Sequence, residues 1–525
     1  MHETVPALDD RPDWFRHAVF YECLIRGFSD SNGDGIGDLR GLINRLDHLE
    51  WLGVDCIWLL PFYESPMRDG GYDVSDYLAV NPQFGNLADA EELIAQAHAR
   101  GIRVLADLVV NHTSDQHPWF VESRQDRTNP RADWYVWSDD PGRWSEARVI
   151  FEDTEDSNWT FDEQRGQFFW HRFFHHQPDL NFDHPAVTEA MFEVMSFWLD
   201  RGLDGLRLDA VPYLFERDGT NGENLVETHD WLKRLRGQVD AKYPGCLLLA
   251  EANQPPADVV EYFGDGDECQ MAFHFPVMPM MYKALRDHQA ATIADALRET
   301  PPIPDGCQWG FFLRNHDELT LEMVSDDDRA FMLREYAPEP GMRRNVGIGR
   351  RLFPLLNDDR RQVELLHAML LSMPGSPVLY YGDEIGMGER MDLRDRDPVR
   401  TPMQWDDTPN GGFSSASSSE LYLPAIDEGP YGYATRNVAR ERADDQSFLH
   451  WLRSLLARRR EIAIFGTGAF EFVESGHPSV LAYRRGEAGR GVLCLFNLAD
   501  TESPALQGTA DAVDLAPCEW QWLER

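Results

Sequence analysis

Three acids stand where apolar runs end: Asp209 closes GLRLD, Glu251 follows CLLLA, and Asp317 follows FFLRNH. An acid beside a core strand costs free energy unless it is paired or used. Two facing carboxyls can cleave a glycosidic bond. One attacks the anomeric carbon and the other protonates the departing oxygen. At about 5 to 5.5 Å apart they form a covalent glycosyl intermediate and retain configuration. The nucleophile must stay ionised. Asp209 suits this role because Arg207, two residues back on a strand, faces the same side. The general acid needs a raised pKa, which suits Glu251 behind its apolar run. Asp317 would hold sugar hydroxyls, and His112 and His316 lie close in sequence to the same strand ends. The competing reading makes the acids structural partners of Arg207 and Arg314. Spacing alone leaves the division of roles among the three acids open.

A second set of oxygen donors sits in DSNGDGIGD, residues 30–38. Asp30, Asn32, Asp34 and Asp38 could converge, with Ile36 adding its carbonyl. The spacing agrees with the early positions of an EF-hand. The twelfth position, however, is Gly41 rather than a bidentate glutamate, and no second copy follows. Both points argue against a calcium sensor pair. A single structural ion and a glycine-rich turn with solvated acids both remain.

Eight short apolar runs position these groups: AVFYECL (18–24), VDCIWLLP (54–61), IRVLADLVVNH (102–112), LDGLRLDA (203–210), GCLLLAEAN (245–253), CQMAFHF (269–275), WGFFLRNHD (309–317) and SPVLYYGDE (376–384). Amphipathic helical stretches such as LRGLINRLDHLEWLG and LADAEELIAQAHARG lie between the early runs. Continuous apolar strands with helical crossovers imply a parallel sheet covered on both faces. Eight of them point to an α/β fold, a (β/α)8 TIM barrel, whose chemistry gathers at the C-terminal strand ends. The rhythm breaks at 113–178, rich in Trp, Asp, Arg and Pro, which is expected to be an inserted subdomain after strand 3. The expected units are 1–112 and 179–464 for the barrel, 113–178 for the insertion, and 465–525 for a C-terminal antiparallel β-sandwich. A long loop insertion should follow strand 8, at roughly 385–440, with a serine run in GFSSASSSELYLP.

The chain has 525 residues and a formal charge of -41, from 90 acids and 49 bases. Such a surface repels nucleic acid and anionic membranes and favours neutral or cationic ligands over polyphosphates. The seven cysteines are scattered through apolar runs and read as reduced core thiols. No cationic-then-apolar leader and no apolar run of membrane-spanning length is found, so a cytoplasmic location is expected.

DLVVNH (107–112), GLRLDA (205–210), LLAEAN (248–253) and FLRNHD (312–317), in this order, resemble the four best-known motifs of the α-amylase superfamily, glycoside hydrolase family 13. The resemblance implies Asp209 as nucleophile, Glu251 as acid/base and Asp317 as stabiliser. His112 and His316 would bind the sugar, and Arg207 would brace the nucleophile. It implies a structural Ca2+, or Mg2+, in the 30–38 loop. A second Ca2+ would use Asn111 and Asp179 and join the insertion to the barrel. GGYDVSDY (70–77) and DPVRTPMQWD (397–406) are similar to segments of members acting on short α-glucosides. They imply an Asp73–Arg400 pair closing the glucose pocket, with Tyr72 as a stacking face.

FFWHRFFHHQPDLNFD, VPYLFERDGTNGENLVETHDWLKRLR, AEANQPPADVVEYFG and WGFFLRNHDELTLEMVSDDDR narrow the resemblance to members that interconvert maltose and trehalose. The implied activity is an isomerase reaction, an intramolecular transglucosylation with minor hydrolysis. A retaining α-glucosidase acting on maltose or isomaltose is the alternative, sucrose isomerisation or glucosyl transfer is a third possibility, and an idle sugar-binding or partner-binding subunit is the reading from a different class. No organic cofactor is needed, and a homodimer or homotetramer is implied. Water exclusion is expected from the insertion and from the loop near Phe413. Arg394, Pro398 and residues 411–428 depart from the subgroup's pattern.

Overall fold

Eight parallel strands close a barrel in this computed structural model, which describes residue 8 and residues 11–487, 489–506 and 512–524. They are β1 (Phe20–Cys23), β2 (Cys56–Leu59), β3 (Arg103–Val109), β4 (Gly205–Asp209), β5 (Leu247–Ala250), β6 (Met271–Phe273), β7 (Gln308–Phe312) and β8 (Ser376–Tyr380). Seven lie within the apolar runs, and β7 begins one residue before its run, at Gln308. Neighbours pair in chain order, and β8 returns to β1 through Phe20↔Val378. Strands hidden by barrel side chains within and by helices without need apolar residues on both faces. The burial of every residue of β1, β2 and β4 reflects this.

The crossover helix Leu39–Leu52 shows how one helix covers the barrel. Asp38 caps its N-terminus by accepting from Gly41 N at 2.6 Å, and Gly53, at φ 94°, ends it in the left-handed region that a side chain would disfavour. Leu39, Leu42, Leu46 and Leu49, at three- and four-residue steps, are fully buried. Each such leucine contributes roughly 1.5–3 kcal/mol of transfer free energy.

Residues 113–178 contribute no barrel strand. They carry a three-stranded sheet of Trp137–Ser138, Trp159–Asp162 and Gln167–Trp170, packed on its own cluster of Val136, Ala147, Trp159 and Trp170. The bridges His112↔Asp179 and Tyr135↔Leu180 tie it to the mouth of the barrel. A further excursion, not foreseen in the sequence, follows β7. It holds a small sheet of Leu319–Thr320, Arg343–Arg344 and Gly347–Ile348 and the helix Asp326–Tyr336.

After β8, residues 411–428 dock on the 30–38 loop. Asp30 N donates to Phe413 O at 2.9 Å, and Tyr422 N to Gly35 O at 3.0 Å. Phe413 is buried there and packs on Tyr422. From the same loop, the Tyr422 hydroxyl donates to the backbone oxygen of Arg400.

The C-terminal part is a sandwich. Antiparallel strands Phe470–Phe472, Val480–Glu487, Arg490–Asn497 and Trp520–Glu524 form one sheet, and Ser503–Ala505 with Val513–Leu515 the other. Val480, Ala482, Leu493 and Leu495 meet Ala505, Leu506 and Leu515 between them. The outer ends of the chain, residues 1 and 525, lie outside the described residues.

Two buried arginines, one from this part and one from the helix before it, meet at the turn before β8. Arg485 donates to Ser372 O and Met373 O at 2.7 and 2.5 Å. Arg459, from the helix Phe448–Glu461, donates to Leu371 O and Gly375 O. The helix Arg360–Leu370 ends at this turn, so both cations meet the negative end of its dipole just before β8. All seven cysteines are free thiols, six of them buried.

Candidate active site

Arg207 is the centre of the constellation. It is almost wholly buried, and its neighbour across the β3–β4 ladder is Asp107. Arg207 Nη1 contacts Asp107 Oδ1 at 2.7 Å and Asp209 Oδ1 at 2.5 Å. Its Nη2 contacts Glu251 Oε1 at 2.5 Å. The guanidinium therefore touches both reacting candidates, beyond the single contact to Asp209 expected from the sequence. One guanidinium bridging two carboxyls holds both on one cleft, as a pair acting together on one glycosidic bond requires.

The turn after β4 adds a second restraint. Ala210 has φ 51°, an uncommon conformation for a residue with a side chain, and its N–H donates to Glu251 Oε2 at 3.2 Å.

The three acids titrate apart. Burial lifts Glu251 to about 8, and Asp209 and Asp317 add to this while Arg207 opposes it. Burial lifts Asp209 less, to about 6, because Arg207 and hydrogen bonding from Glu251 counter it. Asp317 is also raised by burial, but His316, Arg396, Arg400 and Arg207 outweigh that and hold it below the usual carboxylate range. Near neutrality this leaves a protonated Glu251 beside two ionised aspartates, an acid and an anion across one cleft.

Tyr72 lies over His316, with ring centroids 5.5 Å apart and planes within 12°. Its hydroxyl contacts His316 Nε2 at 2.9 Å and donates to Asp107 Oδ2 at 3.1 Å. His316 also contacts Glu22 through Nδ1 at 2.5 Å and Asp317 through Nε2 at 3.1 Å. Burial, together with the nearby arginines, drives its pKa well down. His112 is kept neutral by burial, at about 3, and its Nε2 is buried without a partner while the ring lines the pocket.

The expected Asp73–Arg400 pair is not formed. Asp73 is fully buried and accepts from Ser65 Oγ, Arg68 N and Asp69 N, at 2.9 to 3.1 Å, so its carboxylate ties the 65–69 turn. Arg400 instead donates to Asp317 Oδ1 at 2.7 Å and to His316 O at 2.8 Å. The acid–arginine pair on the pocket wall is Asp69–Arg396, at 2.6 Å, and Arg396 also reaches Asp317 at 3.0 Å. Gly70 and Gly71, at φ 61° and 109°, turn the chain between Asp69 and Asp73. That turn is the signal that could have separated the two acids.

Ile150, Phe151 and Phe173 of the insertion also line the pocket, with Tyr213, Asn253, Glu318, Thr320 and Glu322. Nothing in the irregular sequence of 113–178 marked these aromatics. Arg148 of the insertion reaches Glu322 at 3.4 Å and Glu223 at 2.9 Å, joining the insertion to the excursion after β7.

Both expected ion loops offer only oxygen. In the 30–38 loop, Asp30 accepts from the N–H of Asn32, Gly33 and Gly35. Asn32 and Asp34 accept from Asp34 N and Ile36 N, and Asp38 from Ser31 and Gly41. The side chains are oriented by their own backbone, and an oxygen-only set suits a hard cation.

At the second place, Asn111 Oδ1 and Asp179 Oδ2 are buried without partners. Burial pushes Asp179 up to about 8. Glu216, missed in the sequence, is buried beside it, and burial followed by repulsion from Asp179 raises its carboxyl well above normal. Orphaned buried oxygens fit a cation that would satisfy them. Among the described residues, no group of three or more His, Cys, Asp or Glu converges as a metal site. The second place instead combines one amide with two carboxyls.

The catalytic-domain model of alpha-amylase matches residues 23–337 and 349–468. The chain is 59% identical over 508 residues to the trehalose synthase/amylase TreS of Mycobacterium tuberculosis, covering 95% of this chain and 84% of that protein. Among solved structures, an alpha-glucosyl transfer enzyme, XgtA, superposes with a TM-score of 0.80 at 32% identity, covering 98% of this chain and 99% of that one. A mutant of the trehalulose synthase MutB, in complex with its substrate sucrose, superposes with a TM-score of 0.78 at 27% identity, covering 97% and 98%.

Proposed function

The chain belongs to the alpha-amylase family, and we propose that it is an isomerase that interconverts maltose and trehalose by intramolecular transglucosylation. The observation that carries the chemistry is the single guanidinium spanning Asp209 and Glu251, with the two carboxyls set at about 6 and about 8. The choice of sugars rests on the likeness to TreS.

Asp209 attacks the anomeric carbon of maltose while Glu251 gives its proton to the bridging oxygen. The C–O bond breaks, and a glucosyl ester forms on Asp209. Asp317, held ionised by its three cationic neighbours, stabilises the positive charge that develops on the ring. The freed glucose turns in the pocket. Glu251, now a carboxylate, takes the proton of its anomeric hydroxyl as that oxygen displaces Asp209. The α,α-1,1 bond results, and no water is consumed. Asp69 and Arg396 would hold the far hydroxyls, with His112 and Tyr72 on the flanks. Phe151 and Phe173 would cover the intermediate.

The acidic surface, with its net charge of -41, supports a neutral disaccharide as substrate and disfavours nucleic acid. No helix among the described residues is long and apolar enough to cross a membrane. A cytoplasmic homodimer or homotetramer is the form proposed. Ca2+ would bind Asn111, Asp179 and Glu216, and Ca2+ or Mg2+ the 30–38 loop, each stiffening a segment beside the mouth.

The test is timed anomeric proton NMR on maltose and, separately, on trehalose. Convergence on one mixture from both sides with little glucose is expected, and Asp209→Ala should abolish it. Glucose accumulating alone would make the enzyme a hydrolase instead.

A further inference from the structure

The pocket lining carries two kinds of polar group. Arg396, paired with Asp69, and His112 can donate hydrogen bonds. The groups that follow Glu251 and Asp317 in sequence are mostly acceptors. Asn253 is two residues past Glu251, and its Oδ1 is buried without a partner, while its Nδ2 is engaged by Glu322 Oε2 at 2.8 Å. Glu318, Thr320 and Glu322 complete this part of the wall. Carboxylates and an amide oxygen make an acceptor surface, which a polyol can satisfy with several hydroxyl donors.

Glu318 is built into this wall with some care. It follows Asp317, and its carboxyl accepts from Asn345 Nδ2 at 3.1 Å. Asn345, at φ 41°, lies in the turn between Arg343–Arg344 and Gly347–Ile348, whose second strand pairs with Leu319–Thr320. Gly347 leaves the space the Glu318 stem occupies, since a Cβ there would stand 2.6 Å from Glu318 Cγ. Among the described residues Glu318 forms no salt bridge, so it is not the acid half of a structural ion pair. The double displacement makes no use of it.

We propose that Glu318 is a specificity-determining residue that holds the freed glucose by its hydroxyls during reorientation, and so sets the ratio of isomer to hydrolysis product. The proposal rests on the isomerase reading. Until the glucose has turned, the ester on Asp209 is exposed to any water that replaces it. A carboxylate beside Asp317 and on the pocket wall can grip the sugar, and its anchor on Asn345 keeps the grip in place.

The experiment compares wild type, Glu318→Gln and Asn345→Ala. Initial maltose consumption, trehalose and glucose are followed by NMR. Glu318→Gln keeps an acceptor for Asn345 but replaces one carboxylate oxygen with an amide donor. It is expected to raise the glucose-to-trehalose ratio at least fivefold, with maltose consumption within about twofold of wild type, and Asn345→Ala is expected to shift the ratio less. An unchanged ratio in Glu318→Gln overturns the proposal. So does an equal shift in Asn345→Ala, because Glu318 would then act only by tying that turn. Wild-type enzyme that releases only glucose would instead overturn the isomerase reading and, with it, the proposal.

Discussion

The pH dependence of the first chemical step follows from two carboxyls set about two units apart. Reaction requires Asp209 ionised and Glu251 protonated. With Asp209 at about 6 and Glu251 at about 8, each is in its reactive form in about nine molecules of ten at pH 7. About four fifths of the enzyme is then competent. At pH 5 Asp209 is ionised in about one molecule in eleven, and at pH 9 Glu251 is protonated to the same extent. The expected profile of kcat/KM for maltose is a bell centred near pH 7, falling about ninefold two units to either side. The assay is initial-rate loss of maltose from pH 4.5 to 9.5 at constant ionic strength. α-Glucosyl fluoride, whose leaving group needs little protonation, should lose the alkaline limb and keep the acid one. An acid limb at pH 4, where ordinary carboxylates titrate, would refute the burial argument for Asp209. A maltose profile flat to pH 9.5 would refute the assignment of Glu251 as acid.

Three further outcomes follow from particular contacts. Asp69→Asn should raise KM for maltose severalfold, whereas Asp73→Asn should leave KM little changed and lower stability by about 1–3 kcal/mol through a lost buried acceptor; steady-state kinetics separate the two, and urea melts read the second. Chelation should lower the wild-type melting temperature, and Asp179→Asn should remove most of that response if the orphaned oxygens of Asn111 and Asp179 are satisfied by a cation. Arg148→Ala breaks the contact with Glu322 and should raise the glucose fraction about threefold or more, read by the same NMR assay. An unchanged fraction would show that this ion pair does not help to exclude water.

The barrel was legible because its strands are apolar on both faces and are separated by helices with a different period. Asp209 and Glu251 were legible because acids rarely end such strands without a use. The bracing by Arg207 followed from two-residue alternation, but its second contact, to Glu251, did not, because it depends on how β5 lies beside β4. Asp69 and Asp73 are four residues apart in one loop, and composition cannot say which faces the pocket. Two left-handed glycines decide it. Phe151 and Phe173 come from a segment with no period to read, and the docking of 411–428 on the 30–38 loop could not be read because it joins residues nearly four hundred positions apart. Glu216 escaped notice because its neighbour Asp179 is distant in sequence.

The return of β8 to β1 also bears on how the protein is made. During synthesis β1 emerges early, but its partner at residues 376–380 arrives only after some 350 more residues, and Arg485, which fastens the turn before β8, later still. Until then the growing chain carries a sheet open along β1 and β7, with apolar faces and unpaired edges available to other nascent chains. Truncated products ending before the sandwich should be the species that chaperones retain or that aggregate. Slowing translation or lowering the growth temperature should improve the soluble yield more than any substitution at the catalytic mouth.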